Sequence, residues 1–90
     1  MRVVVTRIEW DGTMRRQMID TAGRSDAEHL EKLTGRALAF PPAYRPAPGG
    51  IVYHVRADDQ VILVADCDLT WPLRDLVMAV LAKGTPCTGR

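Results

Sequence analysis

The chain has 90 residues, 47% of them hydrophobic and 26% charged, which places it among ordinary globular domains and outside the disordered class. Twelve basic residues against eleven acidic ones leave a formal charge of +1, so no bulk field draws the chain to nucleic acid or to an anionic membrane. No apolar run approaches the ~20 residues of a membrane span, and the opening MRVVVTRIEW alternates instead of forming a signal-peptide core, so a cytoplasmic protein is expected.

A chain of this length buries roughly 60–65% of the surface its unfolded form exposes. That supports one core between two layers. The expected organisation is a single domain over residues 1–84 with a flexible tail over 85–90.

Arg2 to Trp10 is rich in Val, Ile, Thr and Trp and reads as a first strand, followed by the turn signal Asp11-Gly12. Met14 to Thr21 reads as its partner. A two-residue loop would oppose Trp10 to Thr13; a three-residue loop would oppose Trp10 to Met14 and Glu9 to Arg15, which pairs charges better. Ser25-Asp26-Ala27-Glu28 has the form of a capping box, and Ala27, Leu30, Leu33, Thr34, Ala37 and Leu38 follow at helical spacing. Glu28 and Lys32 make an i,i+4 pair. Gly35 predicts a weak last turn or one pressed close to the sheet, and Pro41-Pro42 ends the helix.

The stretch Phe40 to Gly50, FPPAYRPAPGG, is a long connection whose prolines favour extended backbone. Either Phe40 and Tyr44 clip it onto the core, or Tyr44 and Arg45 are displayed to a partner. Ile51 to Asp66, IVYHVRADDQVILVAD, then predicts a hairpin. A loop of Asp58-Asp59 would set Val55 opposite Ile62 and Tyr53 opposite Val64. The second arm is apolar from Val61 to Ala65, which suits a strand covered on both faces or lying inside the sheet. Asp-Asp is a costly two-residue turn, and a longer or bulged one is the alternative.

Thr70 is a plausible N-cap with Pro72 in the first helical turn. Leu73, Leu76, Val77, Val80 and Leu81 form an amphipathic stripe, ending near Lys83-Gly84 with a left-handed glycine cap. The expected fold is therefore α+β in the order ββαββα, a four-stranded antiparallel sheet with both helices on one face.

Little in the chain carries recognisable chemistry. His29 and His54 lack companions at ligand spacing, and no nucleophile elbow or phosphate loop is present. Asp58-Asp59 and Asp66/Asp68 sit at turns, where carboxylates usually cap. Arg7, Arg16 and Arg56 with Trp10 and Tyr53 come nearest to a nucleic-acid surface, but the charge balance argues against one. Cys67 and Cys87 are too few for a disulfide framework; a bridge between them is the minor alternative to free thiols. No enzyme activity, cofactor, metal site, nucleic-acid partner or membrane partner is expected.

The ordered set RVVVTR, MRRQMID, DAEHLEKL, VYHV and LTWPLRDLVMAVL, spread over nearly the whole chain, resembles the emfourin family of small inhibitors. Where that family usually carries a glycine-rich G-G-F-x-G turn between its first two strands, this chain has Ile8-Glu9-Trp10-Asp11-Gly12, retaining only Gly12. The resemblance implies an inhibitor of a protealysin-type, thermolysin-like zinc metalloprotease. Such an inhibitor would act by occlusion, burying roughly 1,200–2,000 Å² through aromatic and arginine anchors. Candidate partner-binding surfaces are the N-terminal end with the first turn (Met1, Arg2, Trp10, Asp11) and the proline-rich loop (Tyr44, Arg45). The competing expectation is a non-catalytic interaction or scaffold domain that pairs a sheet edge or open sheet face with a partner or with itself, as a monomer or weak homodimer.

Overall fold

The computed structural model describes residues 1–45 and 50–86. In chain order the elements are β1 (Arg2–Ile8), β2 (Met14–Asp20), α1 (Ala27–Ala39), β3 (Val52–Ala57), β4 (Gln60–Ala65), a single 3₁₀ turn (Asp66–Asp68), α2 (Trp71–Lys83) and β5 (Thr85–Pro86). The strands form one antiparallel sheet in the order β4-β3-β1-β2-β5. The ββαββα order is present, with a short fifth strand added. The start of the expected tail is therefore part of the sheet, and Cys87, with the question of a bridge to Cys67, lies outside the described residues.

Period-two alternation gives the sheet a dry face. Val3, Val5, Ile19, Tyr53, Val55 and Val64 turn toward the helices and are buried. They meet Leu30, Leu33, Ala37 and Leu38 of α1 and Leu73, Leu76, Val77, Val80 and Leu81 of α2 in one core. The 3.6-residue stripe of α2 is buried as its spacing predicts. The second hairpin also has its expected register, with Val55 opposite Ile62 and Tyr53 opposite Val64.

Several local expectations are corrected. The first hairpin pairs Ile8 with Met14 and Arg7 with Arg15, a register two residues from the charge-matched one. Its loop is Trp10-Asp11-Gly12: the Gly12 N–H donates to the Glu9 carbonyl at 2.9 Å and the Glu9 N–H to the Thr13 carbonyl at 2.8 Å. Gly12, at φ 87°, takes the left-handed position that closes this bulged turn. The turn therefore overrides the cross-strand charge pairing.

The capping box at Ser25 does not form. Asp26 occupies the N-cap of α1 without a side-chain cap bond, because its carboxylate turns back to the Arg24 guanidinium at 2.8 and 3.2 Å. Glu28 and Lys32 do pair, at 3.1 Å. Gly35 is exposed, with no neighbour where a side chain would stand, so α1 is not pressed to the sheet there.

Gly84 is not left-handed; its φ of −74° is extended. A methyl group there would collide with the Val80 carbonyl oxygen and sit 2.9 Å from that of Met18, so glycine is required by the close approach of the helix end to β2. The same junction closes the C-terminus of α2. The Gln17 amide, oriented to satisfy its neighbours, donates to the Leu81 carbonyl at 2.8 Å and accepts from Arg15, while Arg15 donates to the same carbonyl at 3.2 Å.

The largest correction concerns β4. It lies at the sheet edge, with Val61 49% and Leu63 40% exposed. The centre of the sheet belongs to β1, which pairs with β2 on one side and β3 on the other.

Candidate functional site

One end of the sheet gathers the end of β1, the start of β2, the start of β3 and the end of β4. Here Trp10, 77% exposed, stands on the first loop. The loop is braced by the two backbone bonds described above and by the Asp11 carboxylate, which accepts the Thr13 N–H at 2.9 Å. That bond holds the Asp11 carboxyl below its ordinary range.

The proline-rich approach reaches the same end. The Asp66 N–H donates to the Ile51 carbonyl at 2.8 Å, fixing the entry to β3 against the exit from β4. Arg45 lies 3.2 Å from Asp68 Oδ1 in the 3₁₀ turn. Tyr44 is exposed beside it in sequence, and Phe40 is 88% exposed, so neither aromatic clips the connection onto the core.

Met1 and Arg2 lie at the opposite end of β1, roughly 20 Å away for a seven-residue strand. The structure therefore divides the six sequence-predicted residues: Trp10, Asp11, Tyr44 and Arg45 share one end, and Met1 and Arg2 mark the other. The backbone at Met1 is held, since the Thr21 N–H donates to its carbonyl at 2.9 Å.

Beneath the Trp10 end, Tyr53 is 2% exposed. Burial foremost, then the negative Asp66 carboxylate, pushes its hydroxyl above the ordinary tyrosine range. It is a structural group, with Arg7 directly opposite in register. Arg7 and Tyr53 thus face the helices while Arg16 and Arg56 face away, which splits the set that came nearest to a nucleic-acid surface.

Among the described residues, no helix covers the other face of the sheet. Arg2, Val4, Thr6, Arg16, His54, Arg56 and Asp58 line a concavity of about 410 Å³ there. Sequence reading named Arg16 and Arg56 but missed their grouping with Arg2 and His54. The signal was their shared parity on three strands, legible only once β1 is placed between β2 and β3. On the helix side, a groove between α1 and α2 is lined by exposed Trp71 and Met78 with His29 and Lys32.

Among the described residues, no group of three His, Cys, Asp or Glu side chains could hold a metal ion, and Cys67 is exposed. No described helix is long and apolar enough to cross a membrane. Comparison with protein-family models, with curated proteins and with solved structures finds no match to this chain.

Proposed function

We propose that this domain binds another protein with the end of its sheet that carries Trp10, Asp11, Tyr44 and Arg45. The resemblance to emfourins supports a thermolysin-like zinc metalloprotease as the partner class, which the domain would inhibit by occluding the approach to its cleft. The observation that supports a binding role is Trp10: it is 77% exposed on a loop closed by hydrogen bonds at both sides. Interface anchors are enriched in Trp, Tyr and Arg, and a rigid loop loses little entropy on docking. A standard interface takes about 800 Å² from each partner, roughly one-seventh of the 5686 Å² exposed here. Held in the cytoplasm, such an inhibitor would shield the producing cell from its own protease.

The test is titration of several thermolysin-like proteases with the purified protein while following peptide hydrolysis. Stoichiometric inhibition that is lost in Trp10→Ala supports the reading. Full activity of every protease at micromolar inhibitor overturns it.

A second reading, a scaffold domain that pairs its sheet edge with a partner or a second copy, has the exposed β4 edge behind it. Val61 and Leu63 stand on that edge without the inward charge or proline that usually protects such strands.

A further inference from the structure

The outer surface of the helix layer carries a groove that the Trp10 end does not use. α1 contributes Leu30, Leu33 and Arg36, and α2 contributes Trp71, Asp75 and Met78. On each helix these positions recur every three or four residues, so they form two stripes that face each other across the groove. Its volume is about 370 Å³. Leu30 and Leu33 are buried and Ala79 half-buried in its lining, while Trp71 and Met78 are exposed. Trp71 and Met78 stand two turns apart on α2, about 10 Å along the axis. Exposed tryptophan and methionine suit a docking surface, since one anchors interfaces and the other adapts its shape to what it meets.

The charge on the lining is one-sided: Lys32, Arg36 and Lys83 stand against the Asp75 carboxylate. Lys32 is already paired with Glu28 at 3.1 Å. The nearby Asp26 carboxyl is lowered first by its hydrogen bond from Arg24 and last by Lys83, so Lys83 is only weakly compensated. Among the described residues, Arg36 makes no ion pair.

We propose that this groove docks an amphipathic α-helix of another protein whose apolar stripe is flanked by carboxylates. The stripe packs on Leu33 between Trp71 and Met78, and the flanking carboxylates meet Arg36 and Lys83. A helix is the favoured form because α1 and α2 satisfy their own backbone groups. An extended segment laid between them would leave its N–H and C=O groups unpaired, whereas a helix pairs its own. Anchors at i, i+3 or i+4, and i+7 on such a helix span the same two turns that separate Trp71 from Met78. A second copy of this chain is the less favoured occupant, because it would bring the same surplus of cations to the contact.

The experiment is fluorescence anisotropy with a labelled helical peptide carrying Leu at i, i+3, i+4 and i+7 and Glu on both flanks of that stripe. Two controls accompany it: the same composition in shuffled order, and the first peptide with Lys for Glu. Binding of the Glu peptide, weakened about tenfold by Trp71→Ala or Met78→Glu and severalfold by Arg36→Gln, supports the proposal. Trp10→Ala and Arg56→Gln, on the sheet, leave it unchanged, which separates this groove from the proposed protease-binding end. Both altered α2 positions are exposed, and circular dichroism establishes that each variant is folded. Absence of binding, equal binding of either control peptide, or insensitivity to Met78→Glu overturns it, as does a dimer in sedimentation that Met78→Glu dissolves.

Discussion

Arg2 and Asp58 are joined twice across the end of the sheet: the Arg2 N–H donates to Asp58 Oδ1 at 3.0 Å, and the Asp58 N–H donates to the Arg2 carbonyl at 2.9 Å. Asp58 sits at φ 52° in a two-residue turn, a conformation that aspartate tolerates better than most residues. The pairing explains why an unfavourable Asp-Asp turn keeps its short form. Asp58→Ala should lose both the carboxylate bond and this tolerance, costing about 1–2 kcal/mol, whereas Asp58→Asn stays near neutral. Urea denaturation measures the difference; equal stability of the two variants would contradict it.

Gly84 makes a different demand. Alanine there meets the Val80 and Met18 carbonyl oxygens, so Gly84→Ala should destabilise by about 1–3 kcal/mol. It should also raise amide exchange at Met18, where β5 pairs with β2. The expected fall in melting temperature is at least ~4 °C for a domain of this size.

Leu73 and Leu76 are fully buried in the middle of the core. Truncating either to alanine should cost about 3 kcal/mol or more, since neighbours from both helices and the sheet leave little room for collapse. Trp10→Ala, by contrast, should change stability by less than about 0.5 kcal/mol, the usual range for an exposed site. Loss of protease inhibition in that variant would then be attributable to binding, with thermal melting as the control.

The exposed β4 edge predicts concentration-dependent association. Leu63→Lys places a charge on that edge at little cost to folding. If wild type sediments with a dimer component at high concentration, the variant should sediment as a monomer. An unchanged profile would remove the edge from consideration.

Tyr53 gives the fold an alkaline limit. Its folded-state pKa is raised above the ordinary 10.0, by burial first and by Asp66 second. The unfolded chain therefore loses this proton before the folded one does, so the stabilisation is complete below about pH 10 and is lost as pH rises through the folded pKa. Ultraviolet titration of the tyrosinate band, with Tyr53→Phe as reference, should show a late step that coincides with loss of structure.

Much of this was legible in the sequence where one local signal dominates. The stripe from Leu73 to Leu81 and the facing of Val55 with Ile62 follow from periodicity, and the structure agrees with both. The first hairpin was less legible because Gly12 decides where the bulge falls, which charge pairing between Glu9 and Arg15 does not report. At the start of α1, Arg24 competes for Asp26 through a contact that no capping pattern contains. The grouping of Arg2, Arg16, His54 and Arg56 depends on strand order, a property of the assembled sheet. The separation of Met1 and Arg2 from Trp10 follows from the length of β1 and could have been read from the first strand alone.

The central position of β1 also governs how the chain assembles. Its ladder to β2 closes across a three-residue loop, whereas its ladder to β3 must wait for α1 and the proline-rich connection to be gathered in. Loop-closure entropy makes the first step fast and the second slow. Substitutions at Val5 or Val55, which face each other across that seam, should therefore slow refolding, while equally destabilising changes at the hairpin tips mainly hasten unfolding.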